Sequence, residues 1–347
     1  MTRLYESEIE QIALDLLHDE DGYEVRFGPD LAEGTGKERD YNEVVQSARL
    51  RSAIDRINPN LPAGARDDAF KKVMRLATLT VIDNNEAFHR LLVDGVDVKF
   101  SVGDGKTRTD KVWLVDFANP ENNEFLAVNQ FTVIDSKGGS RSAPTNKRPD
   151  IVIFINGLPL VVIELKNATD ENADVSAAFR QLQTYQHVIP SLFTYNAFLV
   201  ISDGWFAKVG TISSDYPRFM EWKTADGKTI VDSKTQPELE PLIQGLFNKK
   251  TLLDCVRHFI VFEKTREKTV KKIAAYHQYY AVNKAILSTL RAAGTADYQS
   301  APRIAEDPTK YGLPSVEDQL IGDKRAGVIW HTQGSGKSLS MVFYTGK

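Results

Sequence analysis

Asp150, Glu164 and Lys166 have the residue types and spacing to do phosphoryl chemistry in this 347-residue sequence. They fall at the ends of RPDIVIFINGLPLVVIELKN, residues 148–167, which reads as two apolar β-runs around Asn156-Gly157. Glu164 and Lys166 are two apart on a strand, so they share a face. A hairpin centred near Gly157 sets Asp150 opposite Glu164. A tight two-residue Asn-Gly turn sets it opposite Ile163 instead. Convergence of the two acids therefore asks for a slightly longer loop, and Leu158-Pro159 is the expected place for it. Two carboxylates meeting at a strand end suit a hard divalent cation, Mg²⁺, to which the carbonyl of Leu165 could add a ligand. Such an ion polarises a phosphoryl oxygen and lowers the pKa of a bound water. Lys166 would orient that water or stabilise charge on the phosphate. A bare Glu-x-Lys triplet is more simply a solvated ion pair; the aspartate and the apolar hairpin turn it toward catalysis.

Two further features border this constellation. Gln181 and Tyr185 lie four apart on an expected helix and share a face, so their polar tips could meet the metal site or a DNA phosphate. Taken alone they are more simply a half-exposed Gln and a partly buried Tyr. The polar loop 136–149 carries Lys137, Arg141, Lys147 and Arg148 and no acid. It either attracts phosphate or is an ordinary solvated loop.

A second constellation is HTQGSGKS, residues 331–338, placed after the β-run GVIW and at the start of a helix. Gly334 and Gly336 let backbone N–H groups, including that of Ser335, close around phosphates. Lys337 would reach the β- and γ-phosphates of ATP and Ser338 would ligate Mg²⁺. The general pattern has glycine where His331 stands, but the phosphate-cradling part is kept. SVGDGKTRTD, residues 101–110, also contains Gly-x-Gly-Lys-Thr. No apolar helix follows it, and Asp104-Gly105 is a hairpin turn.

The elements that must hold these residues are legible in outline. Residues 7–17 form a helix with Ile9, Ile12, Ala13, Leu16 and Leu17 as its stripe and Ser7 with Glu10 as a capping box. Two or three helices follow between Asn42 and Leu92. From Val96 to Val133 come strand-like runs: VDVKF, KVWLVDF and FLAVNQFTVI. After the central hairpin a helix carries Val175, Ala178, Phe179, Leu182 and Ile189. Two more strands, NAFLVISDG and WFAKVGTI, precede a charged amphipathic region from about Pro237 to Leu290. Residues 291–325 read as a tether. Trp113 and Trp205 are packing residues.

Composition bounds the class. Hydrophobic residues at 42% and charged residues at 26% are globular values. A net charge of −4 offers no global positive field, so a nucleic-acid partner must be held by local basic patches. The one cysteine, Cys255, excludes an internal disulfide and fits a reducing, cytoplasmic setting; it is expected to be a core thiol. The histidines show no metal-type spacing. There is no signal core and no apolar run long enough to span a bilayer, so no membrane association is expected.

Asp-x13-Glu-x-Lys in a strand-turn-strand setting resembles the PD-(D/E)xK nuclease superfamily. Over nearly its whole length the chain resembles the N-terminal part of the restriction (R) subunit of type I restriction-modification enzymes. The strings that carry this are RFGPDLAEG, RLRSAIDRINPNLP, NNEAFHRLLVDGVDV, FLAVNQFTV, INGLPLVVIELKN and VIWHTQGSGKSLSM. The resemblance implies an α/β fold: a PD-(D/E)xK endonuclease-like mixed sheet flanked by helices over 1–255, then the beginning of a RecA-like P-loop lobe over 256–347. It implies metal ligation by Asp150, Glu164 and Leu165, a catalytic Lys166, and an accessory nuclease motif in Gln181 and Tyr185. It implies ATP-phosphate contact by Gly334, Ser335, Gly336, Lys337 and Ser338. Gln278, in AAYHQYYAVNKAI, resembles the glutamine that reads adenine in related helicases; otherwise it is a surface helical glutamine. Many nucleases of this superfamily add an acid from the first helix, and Glu10 matches by position, though its capping box explains it equally well. The implied function is endonucleolytic cleavage of unmodified double-stranded DNA, coupled to ATP-driven translocation, with methyltransferase and specificity subunits as partners. The nucleotide motor would be incomplete here, since the chain ends soon after the phosphate loop. The rivals are a standalone repair or structure-specific nuclease and a non-catalytic assembly module.

Overall fold

The structure is a computed structural model, and it describes residues 5–76, 78, 80–103, 105–135, 145–167, 175–294, 322, 324, 326–329 and 332–347. The central element is a seven-stranded sheet. Its strands, numbered in chain order, are β1 (Glu24–Phe27), β2 (Phe125–Asn129), β3 (Ile151–Ile155), β4 (Leu158–Leu165), β5 (Phe198–Ser202), β6 (Ala207–Gly210) and β7 (Met220–Glu221), and they lie side by side in that order. β1 and β2 are parallel, as are β4 and β5; the other neighbours are antiparallel. A parallel pair needs a crossover. Helices at Ser47–Ile57, Ala63–Met74 and Val81–Asp94 lie in the first. Between β4 and β5 the crossover contains the helix expected from the Val175 stripe.

β3, β4 and β5 are buried along their whole lengths. Strands covered on both faces read as continuous apolar runs rather than alternating ones. That explains VVI and VIFI, and it makes Glu164, fully buried within β4, the anomaly of the sheet.

The hairpin corrects the expected loop. The turn is the tight one: Ile155 pairs with Leu158, and both Asn156 (φ 53°) and Gly157 (φ 79°) are left-handed, as a type I′ turn requires. The register shifts between Ile153 and Phe154, where Leu160 enters β4 as an extra residue. Beyond this bulge Ile151 faces Ile163, so Asp150 runs on toward Glu164. Pro159 tolerates the place because a bulge need not use its missing N–H. The Leu160 carbonyl accepts from the Ala197 N–H at 2.6 Å and from Asn196 Nδ2 at 3.2 Å.

The flanking helices are α1 (Glu6–Asp19), α2 (Val175–Val188), α3 (Tyr276–Ala293) and α4 (Lys337–Gly346). α1 buries Ile9, Ala13, Leu14 and Leu17; Ile12 of the expected stripe is exposed. Its cap also comes two residues before the expected one. Tyr5 is the N-cap, and its N–H donates to Glu8 at 2.7 Å, which leaves Ser7 inside the helix and Glu10 free of capping. α2 buries Val175, Ala178, Leu182 and Tyr185.

The hairpin expected at 101–110 is formed by Val96–Ser101 and Thr107–Val112, with Asp104 outside the described residues. Of KVWLVDF only Lys111 and Val112 are in a strand. Trp113 N–H is taken by Asn58 and Asp116 N–H by Asn123, so the backbone after Val112 is satisfied by side chains rather than a ladder. The charged amphipathic region 237–290 is built of several elements. It holds a helix at Lys249–His258, an antiparallel hairpin of Ile260–Lys264 with Thr269–Ile273, and α3. The Lys249–His258 helix runs through the expected 255/256 division, with Cys255 buried in it. Lys271 on the hairpin is buried, donating to Asn85 Oδ1 at 2.8 Å and to the Asn196 carbonyl at 2.6 Å. Burial drives its pKa far down.

Of the β-run GVIW, residues 327–329 are not in a strand and Val328 is 87% exposed; Trp330 and His331 lie outside the described residues. So do Lys137, Arg141 and most of the expected tether. No helix among the described residues is long and apolar enough to cross a membrane.

Candidate active site

Asp150 precedes β3, Glu164 and Leu165 end β4, and Lys166 follows. The end of β4 is held from both sides. β5 pairs Ile201 with Glu164 and Ser202 with Leu165, and the Ser202 carbonyl accepts the Lys166 N–H at 2.9 Å. On the other side, Asp150 Oδ2 accepts the Leu165 N–H at 2.7 Å. The carboxylate thus sits across the strand end from Glu164, as the spacing predicts.

Lys166 Nζ lies 3.0 Å from Glu164 Oε1 and 2.7 Å from the Leu165 carbonyl, and its ammonium is 3.8 Å from Glu6. The Leu165 oxygen expected to meet a metal accepts from this lysine, which leaves its second lone pair for a ligand. Glu164 Oε2 is buried and has no hydrogen-bond partner. An unpartnered carboxylate oxygen in a dry sheet is costly, and a hard cation is the group that would satisfy it. Donor chemistry agrees: the site offers two carboxylates and a carbonyl, all oxygen. Among the described residues no cluster of three or more His, Cys, Asp and Glu donors forms.

Charge follows the geometry. Burial and then the neighbouring Asp150 carboxylate push the Glu164 pKa up to about 8. Burial raises Asp150 to about 7, against the Leu165 N–H and Lys166, which pull it down. Burial pulls the Lys166 ammonium down, but its pairing with Glu164 wins and holds its pKa above the usual lysine value. Lys166 is therefore a cation.

The accessory residues meet. Gln181 Nε2 donates to Tyr185 Oη at 2.6 Å, and Tyr185 Oη donates to the Arg148 carbonyl at 3.3 Å. Burial first, then the nearby Glu164 charge, raises the Tyr185 pKa, keeping it a neutral donor. The described part of the basic segment enters beside them, with Lys147 in a short strand paired to Val133 and Arg148 exposed.

The spacing did not reveal the α1 contribution. Glu10 accepts from Asn129 Nδ2 at 2.8 Å and from Gln130 Nε2 at 2.6 Å, and the Gln130 N–H donates to the Asp150 carbonyl at 2.8 Å. Its charge, with that of Glu6, is felt at Asp150. Glu6 and Glu10 are one helical turn apart, a spacing from which a shared face could have been read.

The phosphate loop forms a separate site. Gly334 (φ 84°) and Gly336 (φ 79°) are both left-handed, and α4 opens at Lys337. Gly334, Gly336, Lys337 and Ser338 are exposed, while Ser335 Oγ is buried without a partner. Lys337 Nζ donates to the Thr332 carbonyl at 3.0 Å. Gln278, expected at the surface or on adenine, is buried. Its Oε1 accepts the Ala275 N–H at 3.0 Å and its Nε2 donates to the Gly336 carbonyl at 3.0 Å, tying α3 to the loop.

Two family models match the chain. Residues 3–218 match the family model for the Type I restriction enzyme R protein N terminus, and residues 277–347 match that for the SWI2/SNF2 ATPase. The chain is 42% identical to the Type I restriction enzyme HindI endonuclease subunit of Haemophilus influenzae, an alignment spanning 99% of this chain and 30% of that protein. It is 30% identical to the Type I restriction enzyme EcoprrI endonuclease subunit of Escherichia coli, over 46% of this chain and 48% of that one. With the Type I restriction enzyme SauMSSORF170P endonuclease subunit of Staphylococcus aureus the identity is 24%, over 78% of this chain and 24% of the other. The chain thus spans about 30% of the length of the HindI subunit.

Proposed function

The chain belongs to the family of the Type I restriction enzyme R protein N terminus, and from that premise we propose that it is the nuclease part, with the beginning of the translocase, of a type I restriction endonuclease. The observation that carries the nuclease reading is the buried, unpartnered Glu164 Oε2 at the end of β4, in a carboxylate that feels the charge of Asp150. Its substrate is double-stranded DNA lacking the protective modification.

Asp150, Glu164 and the Leu165 carbonyl are the residues that would hold Mg²⁺. When bound, such an ion supplies Lewis acidity to a phosphoryl oxygen and acidifies a water. Hydrolysis forms one phosphorus–oxygen bond as another breaks, and negative charge grows on the phosphoryl oxygens. Lys166 is placed to meet that charge as a fixed cation, rather than to take up a proton. Glu164 anchors it at 3.0 Å. Tyr185 and Gln181 orient each other beside Arg148, where the DNA backbone would approach. Glu10 is a second carboxylate at the rim.

The loop from Gly334 to Ser338 is proposed to bind the phosphates of Mg·ATP at the start of a RecA-like lobe, with Lys337 leaving Thr332 for the β- and γ-phosphates. In the whole protein, methyltransferase and specificity subunits would choose the target, and ATP-driven translocation would precede cleavage. A cytoplasmic location fits this role.

A module that used the nuclease fold only for docking would not need its acids. Titration calorimetry of Mg²⁺ into the chain is expected to lose at least about tenfold in affinity on Asp150→Ala, the low end for disturbing a metal's surroundings. Unchanged affinity would favour docking alone.

A further inference from the structure

Gln130 has φ 53°, in the left-handed region, and is not a glycine. Among the described residues only Asn156 and Lys324 share that condition, and asparagine takes it more readily than glutamine does. Gln130 stands just past the end of β2, where Asn129 pairs with Ile151, so it lies beside Asp150 at the edge of the sheet that carries the acids. A left-handed residue without glycine's freedom is costly, and at such a place it calls for a reason.

The backbone around it is fixed on several sides. The Gln130 N–H donates to the Asp150 carbonyl at 2.8 Å. A Cβ on Gly28, just after β1, would lie 2.5 Å from the Gln130 carbonyl oxygen and 2.8 Å from that of Asn129, so the chain after β1 packs directly on this turn. Phe131, next in the chain, is fully buried, edge-on to Phe154 with ring centres 5.1 Å apart and with the Arg39 guanidinium 3.9 Å from its own ring centre. These contacts demand a sharp turn at residue 130, and glycine would make it at the least steric cost. They do not demand an amide.

The amide has a separate use. Neighbouring side chains on an extended strand point to opposite faces. The left-handed turn breaks that alternation and lets two neighbours reach one carboxylate. Asn129 Nδ2 donates to Glu10 Oε1 at 2.8 Å, and Gln130 Nε2 donates to Glu10 Oε2 at 2.6 Å. Glu10 is thus oriented by two donors, one on each oxygen. Each oxygen keeps a lone pair, so the carboxylate still accepts from water.

We propose that Gln130 is a positioning residue of the cleavage site: its strained turn holds Glu10 of α1 by the side chain and Asp150 by the main chain, fixing Glu10 as an acceptor for water beside the acids. This rests on the nuclease reading.

The test pairs calorimetry of Mg²⁺ binding to the full chain with urea unfolding. Gln130→Gly is expected to keep the parent's urea midpoint, because relief of the left-handed backbone offsets the lost hydrogen bond. It should nevertheless bind Mg²⁺ about tenfold more weakly, the low end for removing a group that orients a metal's surroundings. Gln130→Asn also tolerates the turn but is one methylene too short to reach Glu10, and should follow the glycine variant. Glu10→Gln should weaken Mg²⁺ as well, and adding Gln130→Gly to it should cost nothing more. If Gln130→Gly binds Mg²⁺ as the parent does while Asp150→Ala binds it weakly, the positioning role is wrong and the nuclease reading stands. If the losses in the double variant multiply, Gln130 does not act through Glu10. If Gln130→Asn keeps the parent's affinity, backbone freedom explains the glycine variant; either result overturns the proposal. If Asp150→Ala itself leaves Mg²⁺ affinity unchanged, the metal-site reading fails and the role of Gln130 falls with it.

Discussion

Glu164→Gln is expected to abolish metal-dependent cleavage and at the same time to make the metal-free chain more stable at alkaline pH. The two effects have one cause. Glu164 is a carboxylate sealed in a sheet strand, beside a second buried carboxylate, with one oxygen unpartnered. Its folded pKa of about 8 and that of Asp150 at about 7 both stand above the ordinary values of 4.5 and 3.8. The folded metal-free chain therefore binds more protons than the unfolded one between about pH 4 and 8, so this contribution to stability is fully present below pH 4 and is lost as pH rises through 7 and 8. The loss is on the order of a few kcal/mol. Chemical unfolding at pH 5 and pH 8 should show that slope in the parent, its flattening in Glu164→Gln, and its removal from the parent, but not the variant, by saturating Mg²⁺. Cleavage should fall by more than the roughly 100-fold seen for outer-shell partners of a metal, because a direct ligand is lost. A variant no more stable than the parent at pH 8 without metal would mean that Glu164 is not held charged against its surroundings.

Gly157→Ala should cost about 3 kcal/mol of folding stability, far from any catalytic group. Gly157 has φ 79°, where a side chain costs roughly 1–2 kcal/mol. A Cβ there would lie 2.6 Å from the Gln46 carbonyl oxygen and 3.0 Å from the Leu50 nitrogen, both backbone atoms of a packed helix start. Overpacking of this kind adds roughly 1–3 kcal/mol. Gln46 cannot simply withdraw, because its own N–H donates to the Gly157 carbonyl at 2.9 Å. The sum is a large part of the roughly 5–15 kcal/mol that hold a domain folded. Urea unfolding of the variant would measure it; a change within about 0.5 kcal/mol would show that the turn is not a fixed point of the register. The same turn sets which residue Asp150 faces, so partial relief by opening the hairpin should appear as weaker Mg²⁺ binding.

This hairpin also shows what could be read in advance. The convergence of Asp150 on Glu164 was visible in the spacing, because alternation along paired strands is a local rule. The means was not. A longer loop was expected at Leu158-Pro159, but the extra residue is Leu160, whose carbonyl is taken by Asn196 and Ala197, residues supplied by the far end of the α2 crossover. A bulge satisfied by distant atoms leaves little local signature. Glu10 is a similar case. Ser7 and Glu10 have capping-box spacing, but Tyr5 and Glu8 cap the helix, and what Glu10 does is decided by Asn129 and Gln130 at the end of β2. Gln278 was located in sequence, while its commitment to the Gly336 carbonyl depends on how α3 and the phosphate loop pack. Burial of Lys271 between Asn85 and Asn196 was not legible at all, since a lysine in a charged hairpin reads as solvated.

The most direct test of the central claim separates cutting from the motor. The whole protein, assembled with the methyltransferase and specificity subunits proposed for it, would be given unmethylated supercoiled plasmid, and cleavage and ATP hydrolysis would be followed together for the parent and Lys166→Ala. Lys166 lies with Glu164 and the Leu165 carbonyl, and among the described residues no hydrogen bond or ion pair joins it to residues 334–338. The expected result is loss of cleavage with ATP hydrolysis retained. A variant that still cuts would contradict the assignment of Asp150, Glu164 and Lys166 as the cleavage site.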